Sequence, residues 1–311
     1  MNNINQFHRQ ATVQIAEGVA TLAGIDLQIQ NLRVSFNIKK TSTSDFNTAT
    51  ITIYNLNEET RERINSIDLG NLVIVKAGYV DEQQEVIFVG NTTLSNISIE
   101  RPNVITKIEA QDGKIAMNQL KFSITYQAGT FAVKILKDIL ARTSLDIKHI
   151  DWSKIVDKQY KNGFCFQGDA KVLLTNICNY LGVEWSIQNN QMKLLPVGKA
   201  DTAKIIYLTP ETGLIGSPEK LRDDSLALYG SQLRKKEMIK IVGATGKKYR
   251  KSIGGGYKIK CLLRPFIEPG TVVQVKSSTI NDVQFRVVEV EHVGDTHGND
   301  WHTIVNAMAI V

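Results

Sequence analysis

Strict alternation in the first third of the chain limits its fold more than any other feature. Leu32, Val34, Phe36 and Ile38 alternate with Arg33, Ser35 and Asn37. Successive side chains on a strand point to opposite faces, so this segment reads as a strand with one apolar face. Ala49, Ile51 and Ile53 alternate with Thr50, Thr52 and Tyr54 in the same way, and Thr41-Ser42-Thr43-Ser44-Asp45 supplies a polar turn between the two. Asn57 stands as N-cap of a short helix reaching about Ile67, with Glu58 and Glu59 at its positive end and Asp68-Leu69-Gly70 closing it. Strands resume at Leu72–Ala77, Val86–Val89, Leu94–Glu100 and Val104–Gln111. The predicted unit is a small sheet closing into a barrel, with one helix plugging an end.

The middle third changes period. Phe131, Ile135, Leu136, Ile139 and Leu140 fall at helical spacing and predict an amphipathic helix from Thr130 to about Arg142. A second helix starts after Asp169, turns Leu173, Leu174, Ile177 and Leu181 inward, and stops at Gly182. Val183–Ile187 and Gln191–Leu194 flank Asn189-Asn190, a hairpin signature. The intervening Asp146–Gly163, rich in Lys and Asp, is expected as loop. The last third returns to strands at Ile205–Leu208, Lys258–Leu263, Val272–Lys276, Gln284–Glu291 and Trp301–Ala307, with turns at Pro265 and Pro269-Gly270. The expected fold class is mainly β with an α+β insert. Residues 1–118 form an N-terminal β-barrel-like module, 119–198 an α+β module and 199–311 a C-terminal β-barrel-like module. Residues 199–240 are an alternative completion of the first barrel.

Composition narrows the class of function. Hydrophobic residues make up 42% and charged residues 22% of 311, an ordinary globular balance that excludes intrinsic disorder. Met1–Gln10 holds no apolar signal segment, and no apolar run approaches the roughly 20 residues that span a bilayer. A chain made in the cytosol, without membrane insertion, is expected. Cys165, Cys178 and Cys261 form no CxxC pair and sit among apolar neighbours, so three buried reduced thiols are expected. The net charge of +6 is unevenly spread: from Arg234 to Lys260, ten basic residues stand against Glu237 alone. Such a stretch suits a polyanion or an acidic protein face, or else a solvated loop.

Searches for chemistry return little. Gly243-Ala244-Thr245-Gly246-Lys247-Lys248 imitates the end of a phosphate-binding loop but lacks its glycine spacing and the hydroxyl that would hold magnesium. Gly254-Gly255-Gly256 precedes no helix signal, and no G-x-S-x-G elbow occurs. Glu58-Glu59 and Asp223-Asp224 are adjacent pairs, whose carboxylates diverge on a strand and do not face each other on a helix. One constellation carries weight: His292, His297 and His302, with Asp295 and Asp300, lie where a hairpin could gather them. They are weak candidates for metal ligands against the plainer reading of a polar loop capped by Asp295 and Thr296. No catalytic residue, metal or cofactor is expected. Tyr249 and Tyr257 are too few aromatics for a stacking platform on nucleic acid.

Three blocks, in order, resemble baseplate hub proteins of contractile-tailed bacteriophages. Asn47-Thr48-Ala49-Thr50-Ile51-Thr52-Ile53-Tyr54-Asn55-Leu56-Asn57 looks like their strand-to-helix signature, followed by Val75-Lys76-Ala77-Gly78-Tyr79 and Ile87-Phe88-Val89-Gly90. Thr212-Gly213-Leu214-Ile215-Gly216-Ser217-Pro218 is similar to a turn before their last β module. Leu263-Arg264-Pro265-Phe266-Ile267-Glu268-Pro269-Gly270 leads into Phe285-Arg286-Val287 and then His292–Trp301. The stretch from Lys220 to Lys260 is longer and more basic than the family pattern. The resemblance implies a non-enzymatic virion protein of the tail baseplate, assembled in the host cytoplasm. It implies a homotrimer whose six β modules match a six-fold tail tube or tube-initiator protein on one side and a three-fold central spike on the other. Other baseplate proteins are implied partners, and DNA only passes through the channel, which places the basic stretch on an outer or intersubunit face. A basic nucleic-acid-binding protein, or a metal-dependent hydrolase using the C-terminal histidines, are the alternatives.

Overall fold

A computed structural model describes residues 8–16, 25–66, 70–80, 83–143, 145–148, 150–221 and 256–310. The alternating segments of the first third fold as strands, preceded by two strands, at Arg9–Ala16 and Ile25–Ile29, that lie outside the sequence expectation. Strands β1 (Arg9–Ala16), β2 (Ile25–Ile29), β3 (Val34–Thr41) and β4 (Thr48–Tyr54) lead to helix α1 (Glu58–Ser66), then β5 (Leu72–Tyr79), β6 (Glu85–Glu100) and β7 (Asn103–Gln111). Asn57 Oδ1 accepts from the Thr60 amide at 2.7 Å, the expected N-cap bond. β6 is one strand of 16 residues rather than two short ones, with a register shift at Thr92/Leu94 that absorbs the break in its pattern. The strands run β3-β4-β7-β6-β5-β1-β2. All seven send side chains into one core containing Val13, Ile29, Phe36, Ile51, Val75, Phe88 and Ile108, so the sheet wraps around it.

The middle segment holds α2 (Lys114–Asn118), β8 (Lys121–Tyr126), β9 (Thr130–Phe131), α3 (Ala132–Leu140), β10 (Asp146–Ile147), β11 (Gln159–Tyr160), β12 (Phe164–Asp169), α4 (Ala170–Leu181), β13 (Val183–Gln188) and β14 (Gln191–Pro196). α3 and α4 bury the predicted residues in a second, separate core, except Phe131, which precedes α3 on β9 and is exposed. Gly182 ends α4 with φ 75°, and Asn189 and Asn190 carry φ of 56° and 61° in the hairpin turn between β13 and β14. The expected loop 146–163 contains two short strands, and β8 pairs with β12 to make a ribbon that local pattern did not signal. On that ribbon Phe164 and Phe166 face the core while Cys165 between them is exposed. The expectation of three buried thiols therefore fails at Cys165, because a strand's period of two turns every second side chain outward. Cys178 and Cys261 are buried, and burial pushes both thiols up to about 12.

The last strands are β15 (Asp201–Leu208), β16 (Glu219–Lys220), β17 (Gly256–Leu262), β18 (Thr271–Val275), β19 (Val283–Asp295) and β20 (Trp301–Ala309). Ile206, Leu208, Ile259, Val273, Phe285 and Val305 share a third core. β15 pairs in parallel with β18, so residues 201–208 lie with the C-terminal strands and not in the first barrel. Lys258 and Lys260 project from the exposed face of β17. The rest of the basic stretch, together with Asp223-Asp224, Gly243–Lys248 and Gly254-Gly255, lies outside the described residues.

Two features join the modules. β19 pairs antiparallel with β3, from Glu289↔Thr41 to Asp295↔Ser35, so strands of both β modules belong to one 13-stranded sheet among the described residues. Leu263 and Trp301, from the C-terminal segment, also complete the first core. The Trp301 ring meets Phe36 and Tyr79 edge-on at centroid distances of 5.6 and 6.4 Å.

Candidate functional site

The alternation that builds β3 carries a polar residue inward. Val34, Phe36, Ile38 and Lys40 share one face, and Lys40 is only 1% exposed. Its Nζ donates to Asn189 Oδ1 at 2.8 Å, at the tip of the β13–β14 hairpin. The hairpin tip is fixed by Asp112, which follows β7 and is fully buried. Its two carboxylate oxygens accept from the amides of Asn189 at 2.7 Å and Asn190 at 2.8 Å. Asn47, also buried, donates through Nδ2 to Asp112, to the Ile187 carbonyl at 2.6 Å and to Gln188 Oε1 at 3.1 Å. Its Oδ1 accepts from the Thr41 amide at 2.9 Å. One end of the first β module thereby holds the insert by its turn.

The C-terminal module grips the same place. Asn189 Nδ2 donates to Glu268 Oε1 at 3.3 Å, and Lys148 donates to Glu268 Oε2 at 2.7 Å. Lys193 reaches the Pro269 carbonyl at 3.2 Å and lies 3.6 Å from Asp201. Arg286 of β19 pairs with Glu184 of β13. A cleft of about 290 Å³ opens beside these groups, between Val86, Lys204 and Phe266. Among its lining residues Lys148 pairs with Glu268 and Lys193 with Asp201, and Lys204 lies over the Phe266 ring.

Burial sets the electrostatics. It pushes the Asp112 carboxyl up to about 6, against the hydrogen bonds from Asn190, Asn47 and Asn189 and the charge of Lys40. It lowers Lys40 and Lys193 below the usual lysine range. At Glu268 burial acts upward, but Lys40, Lys148 and Lys193 together hold the carboxyl below its ordinary value. Polar residues from three segments thus form one junction, in which Lys40, Asn47, Asp112 and Lys193 are buried, of a kind that fixes a single relative arrangement of its parts.

The histidines do not assemble. His292 pairs across the strands with Thr303 and bonds it through Nδ1 at 3.0 Å, while His302 sits opposite Val293. Adjacent strand positions face opposite ways, so His292 and His302 point to opposite sides of the sheet. His292 is fully buried, and desolvation together with Lys40 pushes it down to about 3. His297 is exposed beside Thr296, and His302 lies 3.7 Å from Asp300. Among the described residues no group of three His, Cys, Asp or Glu side chains is placed to hold a metal. The loop between β19 and β20 caps itself only in part. Asp295 accepts from the His297 amide, but its main partner is Arg33 of the first module, at 2.8 Å and stacked over Tyr54.

Sequence reading missed Lys40, Asp112, Lys148 and Lys193. Lys40 had a visible signal, being in phase with Val34, Phe36 and Ile38. Asn47 and Glu268 lie inside the first and third resemblance blocks, and Asn189 in the hairpin turn, without their junction being apparent.

Solved structures share this fold. The tail protein from Neisseria meningitidis MC58 matches with a TM-score of 0.61 over 96% of each chain at 10% identity. The 43 kDa tail protein of prophage MuSo2 from Shewanella oneidensis matches with the same score, coverage and identity. The E. coli c3393 protein is described as a component of the type VI secretion system with structural similarity to the T4 bacteriophage tail proteins gp27 and gp5. It matches with a TM-score of 0.59 over 96% of this chain and 77% of its own, at 10% identity. At such identity the likeness is one of fold. No curated protein matches the sequence. The family model described as baseplate hub gp41 matches residues 10–221, more than half of the chain. With that match, in a chain whose β modules are locked together around a buried polar junction, the protein belongs to the baseplate hub gp41 family.

Proposed function

We propose that this hub acts by shape alone, as a homotrimer between a six-fold tail tube or tube-initiator protein and a three-fold central spike, around a channel that passes DNA. The carrying observation is the β3–β19 seam. It fixes two β modules in one chain, so three copies present six β modules to the tube and three equivalent faces to the spike. Family membership supports the baseplate as its place, and the tail-protein fold shared with the structures above supports a role at the tube end of the tail. A division into units 1–118, 119–198 and 199–311 is part of this proposal; the separate clusters around Val13, Leu173 and Val273 support it, with Leu263 and Trp301 crossing into the first and Met117 into the second. The junction supports a mechanical role, since Lys148 pairs with Glu268 and Lys193 with Asp201 inside it and the histidines diverge. Cryo-electron microscopy of the assembled tail tip tests the proposal. Three copies in one ring between tube and spike are expected; a different copy number, or a position off the tube axis, contradicts it.

A further inference from the structure

The junction strings an amine, a carboxamide and a carboxylate in series. Lys40 Nζ touches the Asn189 amide oxygen at 2.8 Å, and the Asn189 amide nitrogen touches Glu268 at 3.3 Å. The lysine and the asparagine are 149 positions apart in sequence, on different modules, and the carboxylate comes from the third. Lys40 is 1% exposed, and among the described residues no carboxylate lies within ion-pair distance of its Nζ. A buried ammonium with a single neutral hydrogen-bond partner is costly, and burial moves such a group toward its neutral form. The neutral amine that results is a nucleophile already held against a carboxamide. The Glu268 carboxylate stands on the nitrogen that would leave. Asp112 holds the Asn189 backbone amide, so the electrophile is fixed as well.

We propose that Lys40 and Asn189 condense without a second protein into an intramolecular isopeptide bond, with Glu268 holding the departing nitrogen. Starting from the neutral amine, the Nζ lone pair adds to Asn189 Cγ, and the carbonyl electron pair moves to Oδ1. One Nζ proton passes to Nδ2 within the adduct, while Glu268 Oε1 accepts from Nδ2 and so holds the departing nitrogen. The oxyanion collapses, the Cγ–Nδ2 bond breaks and ammonia leaves. Nothing is oxidised or reduced, and no further reactant enters. The product fastens the buried face of β3 to the tip of the β13–β14 hairpin and replaces a buried ammonium with a neutral amide.

Mass spectrometry of the full purified chain, intact and after proteolysis, tests this. The expected intact mass is about 17 Da below that of the sequence, the loss of one ammonia. The expected digest contains a branched peptide joining the segment around Lys40 to that around Asn189, with no tryptic cleavage after Lys40. Lys40→Arg and Asn189→Ala restore the full mass, and Glu268→Gln slows or abolishes the loss. The untouched protein carries the test by itself, so a variant that fails to fold does not blunt it. Folded protein that keeps its full sequence mass after prolonged incubation overturns the proposal. So does a mass loss that persists in Lys40→Arg, because that identifies ammonia loss at an asparagine without Lys40, as in a succinimide.

Discussion

Asp112 ties the hairpin turn to the first module. It is buried, and it accepts two backbone amides and one side-chain amide. Asp112→Ala strands those donors and removes an opposing charge from Lys40's surroundings. The expected cost is about 3–5 kcal/mol, the range for breaking a buried charged partnership. Urea unfolding measures it, and a cost below about 1 kcal/mol would mean that the turn needs no acceptor there. His292 supplies a pH test. Its imidazole is pushed down to about 3 in the fold, against 6.5 for the ordinary group. Below pH 6.5 the unfolded chain takes a proton that the native chain refuses, so the histidine's share of stability is whole above pH 6.5 and declines toward pH 3. Asp112, raised to about 6, works in the opposite sense between pH 6 and its ordinary 3.8, since there the native chain holds the proton better. Comparison with His292→Gln isolates the histidine. The wild type's advantage should shrink on going from pH 7 to pH 4, by at most about 1.4 kcal/mol per pH unit. A difference that stays constant would show that His292 does not titrate this way.

Among the elements, the β3–β19 seam depends on a close approach. Gly294 lies opposite Phe36, and a Cβ there would come within 2.3 Å of the Phe36 ring. Gly294→Ala should cost about 1–3 kcal/mol by forcing that ring aside, and should speed amide exchange along β19. Unchanged exchange would mean that the ring yields freely. The contrast between elements also explains what the sequence disclosed. β3 and β4 announce themselves because one face is wholly buried, and α4 because an apolar stripe, a polar start and Gly182 coincide. The β8–β12 ribbon does not, since each strand is short and its partner is distant. The β3–β19 pairing and the entry of Trp301 into the first core are contacts between modules, for which periodicity within a segment holds no signal. Lys40 was legible by phase, but its partners were not: a buried charge is explained by what surrounds it, and here that is a turn about 150 positions away. The histidines were legible as a cluster in sequence and dispersed by the alternation of β19 and β20.

In the whole molecule the β3–β19 pairing joins two β modules in one sheet. Ile99 at the far end of β6 is 72% exposed and Leu94 is 49% exposed, on a half-strand that β5 does not cover. An uncovered apolar edge of this kind invites pairing with another chain. Ile99→Lys together with Leu94→Lys should leave the unfolding midpoint nearly unchanged while weakening self-association, as read by sedimentation. If association is unaffected, the copies meet elsewhere. Self-association itself is the most direct test of the hub reading. Native mass spectrometry of the purified full chain should give a mass of three copies that persists on dilution, as a large closed interface requires. A stable monomer at high concentration, or a closed ring of any order other than three, would contradict it.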